Sequence, residues 1–109
     1  MSSSQLAGGL PLPADELTCL IADDHPAVSE LLARYLREHG VTIVGQARDG
    51  REALAEVERL KPSVLLLDLR LPHLSGIEVA RTIAQRDDLS CAVILYTGYG
   101  DHDQLLHAI

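Results

Sequence analysis

Three carboxylates supply the first sign of chemistry in this chain, the adjacent pair Asp23-Asp24 and the isolated Asp68. Each group ends an apolar run, residues 17–22 before the pair and residues 63–67 before Asp68. Acids gathered at one place repel one another unless a cation or a proton intervenes. A site lined by oxygen suits a hard divalent ion. Mg²⁺ takes one or two carboxylates and keeps waters that a substrate phosphate can replace. Thr97, closing a further apolar run at residues 91–96, adds a hydroxyl donor. A carboxylate nucleophile, a metal and a hydroxyl donor together meet the needs of phosphoryl transfer to Asp, which are in-line positioning and charge neutralisation. Taken singly, each residue has a plainer role. Asp24 can cap a helix, Asp68 can form a turn, and Thr is common at strand ends. Chemistry requires that the three acids share one corner.

The elements that would bring them there are legible. Residues 17–22, 41–47, 63–68 and 91–96 are apolar or β-branched and read as strands buried on both faces. Pro26 opens a helix in which Val28, Leu31, Leu32, Tyr35 and Leu36 form one apolar face, ended by His39-Gly40. Asp49-Gly50 turns the chain into a second helix over residues 51–60, with Ala53, Val57 and Leu60 inward and Lys61-Pro62 as its stop. Residues 76–86 form a third helix with Ile77, Ala80 and Ala84 on one side, and residues 101–109 begin a fourth with Leu105, Leu106 and Ile109 apolar. Strand and helix alternate with short connections, which predicts an α/β fold with a parallel sheet covered on both faces. Right-handed crossovers favour the flavodoxin-like doubly wound order, 2-1-3-4, in which strands one and three are neighbours. That order carries Asp23 and Asp24 to the end of the strand beside Asp68.

Composition narrows the function classes. The 109 residues make one domain, with residues 1–16 (rich in Ser, Gly and Pro) as a flexible leader before a domain over residues 17–109. Apolar residues make up 47% of the chain while Phe and Trp are absent, so the core is built from aliphatic side chains. A net charge of -7 argues against direct grip on nucleic acid or an anionic membrane and is compatible with a cation site. No apolar run approaches a membrane span of roughly 20 residues, and no basic segment precedes the first apolar residues as in a signal peptide. A cytoplasmic protein is expected. Cys19 and Cys91 fit no metal spacing. Strand three separates their strands, placing them about 9–10 Å apart laterally, beyond the roughly 7 Å a disulfide spans. His25 beside the acids reads as a solvated loop residue. His73, His102 and His107 form no metal pair.

The joint pattern resembles the receiver domain of bacterial two-component response regulators. It comprises Asp23-Asp24 after strand one, Asp68 after strand three, Leu71-Pro72 with Gly76 in the next loop, and Thr97 after strand four. The phrase Asp23-Asp24-His25-Pro26 is similar to the subfamily with a helix-turn-helix DNA-binding output. The resemblance implies that Asp68 is the phosphoacceptor, charged by a histidine kinase or by a small donor such as acetyl phosphate. It implies Asp24, Asp68 and the backbone carbonyl of Arg70 as direct Mg²⁺ ligands, Asp23 acting through water, and Thr97 bonding the phosphoryl group and drawing its loop inward. DNA would be reached only through an output domain absent from this chain.

The family's fifth strand, fifth helix, phosphoryl-binding Lys and aromatic switch residue have no counterpart up to Ile109. Strand four is then expected to be an exposed sheet edge through which the chain dimerises or exchanges elements. The alternative function is a receiver-like dimerisation module that works without phosphorylation. An aspartyl phosphatase ranks last, because Arg70 stands where such enzymes carry their second Asp.

Overall fold

The computed structural model describes residues 17–97. In chain order the elements are β1 (Thr18–Ala22), α1 (Pro26–Glu38), β2 (Thr42–Ala47), α2 (Gly50–Leu60), β3 (Val64–Asp68), α3 (Gly76–Ala84) and β4 (Ala92–Tyr96). The expected leader and the expected fourth helix lie outside the described residues. The four strands form one parallel sheet in the order β2-β1-β3-β4, so β1 and β3 are hydrogen-bonded neighbours, as expected. Ala22 of β1 pairs with Leu67 of β3, which leaves Asp23 and Asp68 as the next residues at the same sheet end.

Alternation along the strands divides the core between the two sheet faces. Leu20, Ala22, Leu65 and Leu67 pack with Ala53, Val57, Val79 and Ile83 of α2 and α3. Cys19 and Ile21 pack on the opposite face with Val28, Leu32 and Ala33 of α1. A doubly wound layer results, with helices on both faces of the sheet.

Two helix faces differ from the sequence reading. In α1 the buried set is Val28, Ser29, Leu32 and Ala33, while Leu31 and Tyr35 are exposed. In α3 the buried residues are Gly76, Val79 and Ile83, with Ala80 partly buried, whereas Ile77 is 45% exposed and Ala84 faces outward. The apolar period alone admitted either ridge of this short helix. Ser75 and Glu78 form a capping box, Ser75 Oγ accepting from the Glu78 N–H and Glu78 Oε1 accepting from the Ser75 N–H. This fixes the first turn of the helix at Gly76.

Two glycines set the approach of the loop after β3. A Cβ at Gly50 would collide with the backbone of Leu74, and one at Gly76 with the backbone of Asp68 and Leu69. Gly50 N–H also donates to the carbonyl of Pro72 at 3.2 Å, and Gly76 N–H to that of Leu69 at 3.1 Å. The loop is thereby held between the start of α2 and the end of β3.

Candidate functional site

Strand ends position the acids. Asp23 continues β1, and its backbone N–H is held by the carbonyl of Ala47 at 3.0 Å. Asp68 closes β3, and the Leu69 N–H that follows donates to the carbonyl of Tyr96 at 2.9 Å, clamping the rim between β3 and β4. Both carboxylates are 1% exposed. One ligand atom from each of Asp23, Asp24, His25 and Asp68 falls within 4.8 Å of every other. The convergence expected from the sequence is therefore present.

The acids are not equivalent. Asp23 is supplied with protein donors at both oxygens. Its Oδ1 accepts from the His25 N–H at 2.8 Å and lies 3.0 Å from His25 Nδ1, while its Oδ2 accepts from the Tyr96 hydroxyl. Asp68 Oδ1 accepts from the Arg70 N–H at 3.1 Å. Asp24 Oδ1 lies 2.9 Å from His25 Nδ1 yet is buried without a hydrogen bond. A buried, unsatisfied carboxylate oxygen is costly unless something positive meets it. Electrostatics agree with that need. Burial pushes the Asp68 carboxyl above its ordinary range, and the charges of Asp23 and Asp24 push the same way, against the Arg70 N–H and His25. An oxygen-rich corner with a surplus of negative charge fits a hard divalent cation held by Asp24 and Asp68.

Thr97 follows Tyr96 at the end of β4 and is exposed. Among the described residues its hydroxyl makes no hydrogen bond to the acids. Arg70 reaches the site through its backbone N–H. His25, read from the sequence as solvated, is a correction in part. Its ring is 46% exposed, but Nδ1 sits between the two acids.

Tyr96 is the residue that sequence reasoning missed. It pairs in register with Asp68, and its side chain crosses the end of β3 to reach Asp23 on β1. Burial, the bond to Asp23 and the surrounding carboxylates all push its phenol well above the ordinary value, so it stays a donor. The available signal was its polar tip on a strand of otherwise apolar residues, at the sheet end where the acids meet.

Residues 19–109 match the response regulator receiver domain family. The chain is 36% identical over 84 residues to the transcriptional regulatory protein PdtaR of Mycobacterium tuberculosis, covering 77% of this chain and 40% of that protein. It is 40% identical over 70 residues to a protein-glutamate methylesterase/protein-glutamine glutaminase of Myxococcus xanthus, covering 63% of this chain and 20% of that one. The chain spans less than half the length of these curated relatives. Among solved structures it is similar to the NarL signal receiver domain from Mycobacterium tuberculosis, with TM-score 0.71 and 31% identity over 84% of this chain and 74% of that one. It is also similar to the response regulator TrrA from Thermotoga maritima in complex with Mg(2+)-BeF, with TM-score 0.69 and 33% identity over 84% and 77%. The acid corner, the strand order and the residues matched converge on one assignment: the chain belongs to the response regulator receiver domain family.

Proposed function

We propose that this chain is the phosphoacceptor unit of a response regulator, taking a phosphoryl group on Asp68 from a histidine kinase and controlling a transcriptional output domain. The observation that carries the reading is the corner of three carboxylates with the orphaned Asp24 Oδ1. Asp24, Asp68 and the backbone carbonyl of Arg70 would hold Mg²⁺, with Asp23 acting through water. When bound there, the ion would supply charge neutralisation for the acids and for the incoming phosphoryl oxygens.

An Asp68 carboxylate oxygen attacks phosphorus in line. The bond from phosphorus to the donor's nitrogen or oxygen breaks, and the donor keeps the electron pair. The Arg70 N–H holds Asp68 Oδ1 from the side, which orients the carboxylate for attack. The Thr97 hydroxyl donates to a phosphoryl oxygen and draws its own loop toward Asp68. The relative whose name is a transcriptional regulator supports the output side, and the TrrA structure with Mg(2+)-BeF supports the metal and phosphoryl side.

Saturating the protein with Mg²⁺ and then adding beryllofluoride tests this. The expected result is saturable analogue binding that Asp68→Asn abolishes. Metal binding without analogue binding would favour a module that works without phosphorylation.

A second reading concerns self-association. Ile94 and Leu95 on β4 are 53% and 41% exposed, and among the described residues β4 pairs only with β3. A second copy pairing along this edge would cover them. Sedimentation showing a dimer that Ile94→Lys dissociates is the outcome expected, against a monomer at every concentration.

A further inference from the structure

The donors around Asp23 differ from those around its neighbours. A carboxylate accepts about four hydrogen bonds through its two oxygens. Asp23 has a protein donor at each oxygen, the His25 backbone N–H at Oδ1 and the Tyr96 hydroxyl at Oδ2, with the His25 ring Nδ1 3.0 Å from Oδ1. Asp24 Oδ1 has none. The phenol proton therefore already supplies at Asp23 Oδ2 part of the positive charge that a cation, or water polarised by a cation, would bring. The Tyr96 ring packs on the α1 side of the sheet against the buried cluster of Cys19, Ile21, Val28, Leu32 and Ala33, so its hydroxyl is aimed by packing. Its backbone pairs with Asp68 and directly precedes Thr97.

We propose that Tyr96 is a positioning residue that competes with the divalent cation for Asp23, lowering metal affinity and tying the state of the acid corner to the end of β4. This rests on the reading that the corner binds Mg²⁺. A cation that draws on Asp23 weakens the phenol–carboxylate bond. Tyr96 is then free to shift, and it is joined by one peptide bond to the residue whose hydroxyl meets the phosphoryl group.

Tyr96→Phe removes the hydroxyl and keeps the ring in its packing. Calorimetric titration with Mg²⁺ should show the variant binding about three- to tenfold more tightly than wild type. In an Asp23→Asn background the same change should alter affinity less than about twofold, because the charge being contested is gone. Mg²⁺ should also produce a tyrosine difference absorption in wild type that Tyr96→Phe lacks, a signature that mere packing would not give. Equal or weaker affinity in Tyr96→Phe, an undiminished gain in the Asp23→Asn background, or the same difference spectrum in both proteins would each overturn the proposal. Absence of saturable Mg²⁺ binding in wild type is a separate failure, that of the metal site itself.

Discussion

Asp68 is buried among like charges, and that has a thermodynamic consequence independent of signalling. Its folded-state carboxyl titrates above the ordinary 3.8. A group raised in this way favours the folded state fully below the unfolded value, and the contribution is lost as pH climbs through the folded one. Asp68→Asn keeps the acceptor for the Arg70 N–H and removes the charge. In metal-free buffer the variant should match wild type in stability below pH 3.8 and be the more stable of the two near neutrality. Denaturant melts across pH measure this, and a neutral-pH loss of stability would contradict it. The three acids were legible in the sequence because each terminates an apolar strand, and strand ends of a parallel sheet share a rim. Tyr96 and His25 were not. Their partners are chosen by side-chain direction across the sheet end, and linear spacing holds no record of a phenol crossing from β4 to β1.

At the scale of elements, the loop between β3 and α3 decides how closely the backbone approaches Asp68. Gly50 sits against Leu74 so closely that a methyl group requires the backbone to move. Gly50→Ala should therefore destabilise the fold by roughly 2–4 kcal/mol, read as a fall in thermal midpoint, although alanine is the better helix former. An unchanged midpoint would mean that the loop yields freely. Strand positions were readable from runs such as residues 64–67, where apolar side chains leave little choice but a buried strand. The outward faces of α1 and α3 were less so. Leu31, Tyr35 and Ile77 fit the apolar period yet stand exposed, because the ridge that meets the sheet carries small residues that allow close packing, Ser29 and Ala33 in α1 and Gly76 in α3. Lys61 in the left-handed region at φ 47° ends α2 just before Pro62, so the stop signal read from Lys61-Pro62 has a backbone cause.

Over the whole molecule, one aliphatic sheet carries two separate cores and gathers negative charge at one end. The order β2-β1-β3-β4 is the flavodoxin-like one expected among the few topologies that alternation and crossover handedness leave. No helix among the described residues is long and apolar enough to cross a membrane. Cys19 and Cys91 are both free, as the strand separation predicts, and burial pushes the Cys19 thiol up to about 11. That thiol contributes packing on the α1 side of the sheet and little reactivity at neutral pH.

Mg²⁺ bound only by the folded chain adds stability as RT ln(1 + [L]/Kd), about 2.7 kcal/mol at a hundredfold excess over Kd. The most direct test is calorimetric titration of Mg²⁺ into wild type, Asp24→Asn and Asp68→Asn. A single saturable site in wild type, weakened at least tenfold in each variant, is the result this account predicts. Binding that is absent in wild type, or unmoved by both substitutions, would contradict it.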